Sequence, residues 1–333
     1  MSCRMHTIDI NKVDRGGNVA APGVVYTRGW VVNLILDLVS YVPDSDLTAG
    51  CIVEPSCGDG AFLARIVDRL CKSAISRGKF KPDVLDKCIR AFDIDPASVS
   101  NSRAVVIDSL IKHGLSTDAA EKLATVWVHE ADFLLTASFQ ARWVVGNPPY
   151  IRASKIDRES RVIYKDALAT MTMGTDLYVG FFERGLRLLD EEGALCYICS
   201  DRWLQNRYGA KLRSFVSDGF RLISHVRLHD VDAFDDDIAA YPAISLFRRG
   251  SDQFIRYADG LNSSQIQSET FVSWLQGNEC DCNLGTCSEV PSLRGSDPLA
   301  LTSTDTLEML AEISLKNGIS LLLKMAFSLR RLS

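Results

Sequence analysis

The sequence predicts an α/β fold, a doubly wound sheet of seven mostly parallel strands followed by a short irregular C-terminal extension. Three observations predict it. Short apolar runs alternate with segments of helical period from residue 24 to 250. The first of those runs ends in a glycine turn that opens a helix, Glu54-Pro55-Ser56-Cys57-Gly58-Asp59-Gly60. Others stop at a carboxylate or a proline pair, and the carboxyl ends of strands are where open α/β sheets bind ligands.

Composition narrows the class. The chain has 333 residues, enough for one large domain or two smaller ones, and 47% of them are apolar, ample for a core. The net charge is −5, so nucleic-acid contact would have to come from local basic patches. Ten cysteines are scattered, several inside apolar runs (Cys51, Cys88, Cys196, Cys199), which predicts free thiols in a reducing compartment rather than a disulfide framework. Residues 1–15 are polar and mixed in charge, without a signal-peptide core. No run approaches the roughly 20 apolar residues of a membrane span. The expectation is a cytoplasmic protein with no membrane association.

Residues 1–23 lack periodicity and read as a flexible leader. Apolar residues at 31, 34, 35, 38 and 39 predict a helix, with Thr27 placed to cap it; on local evidence a plain cap is the stronger reading. Residues 50–54 form a first strand, and a helix runs from about Ala61 to Ser76. The glycines let the backbone approach a ligand at the helix N-terminus. A dinucleotide fingerprint would need glycine where Leu63 stands, and no Gly-Lys-Ser/Thr follows for a phosphate loop. Glu54 at the strand tip would repel phosphate and suits a cation. The second strand ends at Asp93, the position that takes ribose hydroxyls in such folds. Asp95 before Pro96 fits as the cap of the next helix. A third strand, 125–131, runs into Asp132-Phe133, a carboxylate and a ring suited to the amino edge and face of an adenine.

The fourth strand, 142–146, leads into Asn147-Pro148-Pro149-Tyr150. Two prolines fix φ twice, remove two donors and hold Asn147 out of the helical region. The result is a stiff loop of carbonyls, one amide and one aromatic ring, which accepts an amino group and stacks on a flat ring. Residues 151–173 carry Arg152, Lys155, Arg158, Arg161 and Lys165, mostly on one helical side; this is a solvated face or a phosphate-contacting one. A helix over 174–189, a strand over 194–199 and a helix from Arg202 to about Val216 follow, the last carrying Arg202, Arg207, Lys211 and Arg213. Strands at 220–228 and 242–247 complete the seven, with Arg248-Arg249-Gly250 closing the sheet. After 250 the order fades: 254–257 could begin another strand, 262–304 is rich in Ser, Asn, Asp and Gly, and 304–313 reads as a helix. Cys280, Cys282 and Cys287 crowd together without a fourth ligand, so no metal is expected.

Taken in order, Thr27, the 54–63 segment, Phe92-Asp93-Ile94-Asp95-Pro96, Ala131-Asp132-Phe133-Leu134, Asn147-Pro148-Pro149-Tyr150, Thr175-Asp176-Leu177-Tyr178 and Ser200-Asp201-Arg202-Trp203 resemble the S-adenosylmethionine-dependent DNA adenine-N6 methyltransferases of restriction–modification systems, in the gamma motif order. The resemblance covers about 24–250 and implies a Rossmann-like class I methyltransferase domain there. It implies that Thr27 and Glu54 hold the amino-acid end of S-adenosylmethionine, with Ser56, Gly58 and Gly60 against it. Asp93 would take the ribose, and Asp132 with Phe133 the cofactor's adenine. Asn147, Pro148, Pro149 and Tyr150 would hold the target adenine. Phe247 would stack on its other face, with Phe234 as the rival. Such enzymes carry a long target-recognition domain last, so the 83 residues of 251–333 read as an incomplete start of one, from a truncated or degenerate gene product.

The implied partners are double-stranded DNA, contacted through Arg152, Lys155, Arg202, Arg207 and Lys211, and a cognate restriction endonuclease. Three alternatives compete: methyl transfer to a protein glutamine or ribosomal RNA, a non-catalytic DNA-binding remnant, and a nicotinamide oxidoreductase, which Leu63 disfavours.

Overall fold

The computed structural model describes residues 27–228, 233, 242–251, 253–279 and 287–299. The elements in chain order are α1 (Gly29–Leu38), β1 (Ile52–Glu54), α2 (Ala61–Ser76), α3 (Pro82–Leu85), β2 (Ile89–Asp93), α4 (Pro96–Lys112), α5 (Thr117–Trp127), β3 (Val128–Glu130), β4 (Ala141–Gly146), α6 (Arg158–Ala167), α7 (Tyr178–Leu188), β5 (Leu189–Ser200), α8 (Ala210–Gly219), β6 (Phe220–Arg227), β7 (Pro242–Arg249), β8 (Phe254–Ala258), α9 (Ser263–Ile266), α10 (Glu269–Leu275) and β9 (Cys287–Pro291). They build one sheet in the order β3-β2-β1-β4-β5-β7-β6-β8-β9. The first five neighbours pair in parallel, and β7 runs antiparallel to both β5 and β6.

Burial on both faces explains why the strands read as continuous apolar runs. Successive side chains alternate sides. Trp143 and Val145 of β4, with Ala194, Cys196 and Ile198 of β5, join the core under α1, α2, α4 and α5. Val144, Leu195, Tyr197 and Cys199 point the other way, under α7 and α8. The order reverses direction between β1 and β4, so their carboxyl ends border the crevice of a doubly wound sheet.

The sheet has nine strands where seven were expected, and it does not close at Gly250. β8 pairs in parallel with β6, and β9 pairs antiparallel with β8. The stretch holding β9 is polar in composition, and only Val290 of its strand is fully buried, so its pairing comes from the edge it joins rather than from its own pattern. The third strand is shorter than expected. Leu123, Ala124 and Trp127 are buried at helical spacing, and Trp127 Nε1 donates to Leu85 O and Asp86 O at 3.1 Å each. That helical face overrides the β-branched run at 125–128. Similarly, the helix expected from Arg202 begins only at Ala210, after two 3₁₀ turns over Asp201–Leu204 and Arg207–Gly209. Residues 190–193, ahead of the strand expected at 194–199, belong to the irregular start of β5, where Arg142 of β4 pairs with Asp190 (2.9 Å) and Glu192.

Phe234, most of the acid-rich segment 231–240, Cys280, Cys282, the helix expected at 304–313 and the leader expected at 1–23 lie outside the described residues. Cys51, Cys88, Cys196 and Cys199 are free thiols, the last three buried. No described helix is long and apolar enough to cross a membrane.

Asp95 caps α4 as its sequence position predicts: its side chain accepts from Ser98 N at 3.0 Å, with Pro96 in the first helical turn. Asp95→Ala is therefore expected to lower the unfolding free energy by about 1 kcal/mol in urea titrations. An unchanged midpoint would remove the cap from the stability of α4.

Candidate active site

The site assembles at the carboxyl ends of β2, β1 and β4. β1 and β4 pair with Ile52 opposite Trp143 and Val53 opposite Val144, so Glu54-Pro55 and Gly146-Asn147 leave the sheet side by side. Their approach is tight. Gly146 has φ 155°, and a Cβ there would sit 3.2 Å from Pro55 Cδ, so this junction needs glycine. Ser56 Oγ then donates to Asn147 O at 3.1 Å, tying the glycine loop to the proline loop.

Thr27 is not a helix cap. The N-cap of α1 is Arg28, whose side chain caps nothing. Thr27 is buried, and its Oγ1 accepts from Asn147 Nδ2 at 3.2 Å. This bond fixes the amide plane and turns Oδ1 to the opposite side. Pro148 is buried, while Pro149 and Tyr150 are half-buried, with the Tyr150 ring against the core beneath α1.

Two carboxyl groups stand beside this junction. Glu54 is 2% exposed, and its Oε2 is enclosed with no hydrogen-bond partner among the described residues. Burial, and then the nearby Asp93, push its pKa well above the ordinary value. Asp93 lies one strand over. Its Oδ2 accepts from Gly58 N at 2.9 Å and its Oδ1 from Asp95 N at 3.0 Å. Burial nonetheless raises its pKa. The loop between them is held open: Cys57 N donates to Phe92 O, Ser102 Oγ to Gly58 O (2.7 Å), and Gly60 at φ 87° starts α2. An enclosed acidic group, with a second carboxylate nearby and glycine backbone around it, suits a cationic ligand bearing hydroxyls.

Asp132 follows β3 next to Asp93, since Ala131 N donates to Asp93 O at 2.9 Å. One oxygen of Asp132 accepts from Leu134 N (2.9 Å) and the other from the Tyr164 hydroxyl of α6 (2.8 Å). Phe133 is 1% exposed, its ring 5.6 Å from both Phe92 and Phe181. It is a core residue here and offers no open face to a base. A more accessible apolar group in this corner is Ile94, 41% exposed between Asp93 and Asp95. Sequence reasoning passed over it, although an apolar residue between two acids in a turn is a readable signal.

Phe247 is also corrected. It is fully buried in β7, 5.5 Å from Phe182 and 6.1 Å from Trp203, because its side of the strand faces the α7–α8 core. It cannot stack on a base.

The chain just past Tyr150 is pinned by the Thr175–Tyr178 segment. Leu177 N donates to Ile151 O and Ala153 N to Asp176 Oδ1, both at 2.9 Å. Arg152, Lys155, Arg207 and Lys211 are exposed and Arg202 is half-buried. Lys211 Nζ reaches Ala169 O at 3.2 Å, and Tyr178 and Tyr208 share a 2.7 Å hydroxyl contact, so the two basic segments are joined. Arg213 is different: it is 2% exposed and donates to Trp203 O, Asn206 O and Ser296 O, a structural clasp. Among the described residues no cluster of His, Cys, Asp and Glu could hold a metal ion.

The raised Glu54 pKa has a consequence for stability. The folded protein holds this proton more tightly than the unfolded chain, so the stabilisation is complete below the ordinary glutamate value, about 4.3, and is lost as pH rises through the folded value. Glu54→Gln is expected to be more stable than the parent without ligand at pH 8, with the gap shrinking toward pH 4.5. Thermal unfolding across that range reads it; a pH-independent difference would mean that Glu54 is not the titrating group.

Residues 87–234 match the family model described as Eco57I restriction-modification methylase. The type II methyltransferase M.PaeR7I of Pseudomonas aeruginosa is 35% identical over 301 residues, covering 89% of this chain and 52% of that protein. M.XhoI of Xanthomonas vasicola is 33% identical over 299 residues, covering 87% and 55%. This chain thus spans about half the length of these relatives. A solved structure from a type I restriction–modification system superposes with a TM-score of 0.63 over 92% of this chain and 66% of that one, at 14% identity, a likeness of fold alone. The Rossmann-like sheet and these matches together liken the chain to the restriction–modification DNA methyltransferases.

Proposed function

We propose that the chain is the catalytic part of a DNA methyltransferase that moves a methyl group from S-adenosylmethionine to N6 of an adenine flipped out of double-stranded DNA, as the modification activity of a restriction–modification system. On this reading 24–250 is the catalytic region, 251–333 begins a target-recognition region, and a cognate endonuclease and a cytoplasmic setting follow. The observation that carries the reading is the Ser56–Asn147 bond, which joins an acidic, cation-seeking loop to a rigid acceptor of amino hydrogens. The family matches favour DNA over protein or ribosomal RNA as the substrate.

The chain's own residues divide the work. Thr27 and Glu54 hold the amino-acid end of the cofactor, where Oε2 of Glu54 gains the cation it lacks, and Ser56, Gly58 and Gly60 line it. Asp93 accepts from the ribose hydroxyls. Asp132 takes the base's amino edge, and Ile94 covers its face in place of the buried Phe133. S-adenosylmethionine supplies a methyl group made electrophilic by its sulfonium.

The exocyclic amine of adenine is a poor nucleophile because its lone pair is delocalised into the ring. Asn147 Oδ1 and the Pro148 carbonyl accept its two hydrogens, which lets the nitrogen pyramidalise and frees the lone pair. Pro149 keeps the loop stiff, and Tyr150 stacks on the base. Rate enhancement then comes from positioning and fixed dipoles. The base must leave the duplex to reach this loop. Arg152, Lys155, Arg202, Arg207 and Lys211 contact the phosphates, so binding weakens with salt. Phe247 is buried, and its rival for the second stacking face, Phe234, lies outside the described residues.

Incubation with methyl-labelled cofactor and separate DNA, RNA and protein substrates tests the reading, with label expected on adenine N6 of DNA only. Asn147→Ala is expected to cut transfer about 100- to 1000-fold while cofactor affinity stays within about threefold. Equal loss of both would remove the role given to Asn147. Asp93→Ala is expected to weaken cofactor binding by about 10- to 100-fold in calorimetry, the size of hydrogen bonds to a charged acceptor; unchanged affinity would sink that assignment.

A further inference from the structure

The geometry points to Tyr164 as a positioning residue that aims the Asp132 carboxylate at the amino edge of the cofactor's base. This rests on the proposed role of Asp132. Tyr164 lies on α6, 32 residues further along the chain, yet its hydroxyl sits 2.8 Å from Asp132 Oδ2.

Asp132 also caps the 3₁₀ turn Phe133–Leu135 through Leu134 N. A cap needs one oxygen, and a serine or asparagine would serve. It gives no reason for a second donor on the other oxygen. With a donor on each oxygen, the carboxylate cannot rotate, and its remaining lone pairs point in fixed directions. Asp132 is only half-buried, and it follows Ala131, whose N–H donates to Asp93 O, so it stands beside Asp93 rather than sealed in the core.

Tyr164 is itself well placed to hold that orientation. It is 8% exposed and is one of two buried residues of α6, with Ser160. The rest of that helix is turned outward with Arg158 and Lys165. Its ring belongs to the same buried cluster as Ile156, Leu168 and Phe133, in the α7–α8 core. Phenylalanine keeps this packing and removes the hydroxyl alone. Burial and the Asp132 charge both push the Tyr164 pKa up, so it remains a donor at every working pH. Conversely, the Tyr164 bond lowers the Asp132 pKa against the upward push of burial. Losing it leaves that carboxyl easier to protonate.

The test compares two ligands on the full chain: S-adenosylhomocysteine and its deaminated analogue S-inosylhomocysteine, which presents a carbonyl where the amino group was. The parent is expected to favour the adenosyl form by about a hundredfold or more, because a carboxylate repels the analogue's oxygen. Tyr164→Phe is expected to reduce that preference about tenfold, mostly by weakening the adenosyl form. It should also shift the acid-side loss of adenosyl binding to higher pH. If both ligands weaken equally, or neither changes, Tyr164 is merely structural and the inference is overturned. Asp132→Asn serves as the control and should abolish or invert the preference. If it does not, the role of Asp132 fails; if it does while Tyr164→Phe matches the parent, only the Tyr164 assignment fails.

Discussion

The register between β1 and β4 is the constraint on which the site depends. Parallel neighbours lie about 4.8 Å apart, so whatever follows Glu54 and whatever follows Gly146 must share a small space. A slip of one residue would turn the buried side chains of β4 outward and carry Asn147 away from Ser56. The alternation of Trp143 and Val145 on one face with Val144 on the other makes that slip expensive, because both faces are covered by helices. Glycine at 146 is the local price of such closeness. Thr27 then reaches in from just before α1 and fixes the amide, so three separated pieces of chain meet at one residue, Asn147.

That meeting point is electrostatically unusual. Burying Glu54 beside Asp93 is unfavourable for the empty fold, since desolvation and like charge both oppose ionisation. Glycine N–H groups, a helix N-terminus and the backbone of 58–60 would ordinarily invite an anion. Here the backbone donor at Gly58 is already spent on Asp93, so the loop presents acid rather than a phosphate cradle. This distinguishes the site from a dinucleotide or phosphate loop more firmly than the missing glycine at Leu63 does. On the proposed reading, a cationic ligand supplies the charge that the fold leaves wanting.

Much of this was legible in the sequence because the chemistry sits in short loops after strands, where residue type and spacing are local facts. Glu54, Asp93, Asp132 and Asn147 all lie on one sheet edge, as their positions at strand ends required. What failed was of another kind. Phe133 and Phe247 occupy expected positions, but which way a ring faces depends on helices packed from elsewhere, and both turn into the α7–α8 core. The Thr27 cap misled because a threonine before a helix looks the same whether it caps or reaches 120 residues away. Strand β8 falls where 254–257 suggested one, whereas β9 was hidden because an edge strand is recruited by the backbone groups of its neighbour, not by its own apolar pattern. Tyr164 carried no signal at all, being one aromatic residue in a charged helix.

The basic segments complete the argument. At a net charge of −5 the chain cannot hold DNA by bulk attraction, so position must do what total charge does not. The excursion after Tyr150 returns to its own start, where Leu177 and Asp176 bind Ile151 and Ala153. A loop closed in this way carries Arg152 and Lys155 as one body with the acceptor loop. Lys211 and the Tyr178–Tyr208 contact join the 202–211 turns to the same body. Phosphate contacts made anywhere on it would therefore fix the distance from the DNA backbone to Asn147. On the proposed reading, positioning of that kind is what methyl transfer to an amine requires, because the displaced proton can leave after transfer while the geometry of attack cannot be improvised. On that reading, the basic residues and the stiff proline loop are then two ends of one device, and the hydrogen bonds between them matter more than their charge.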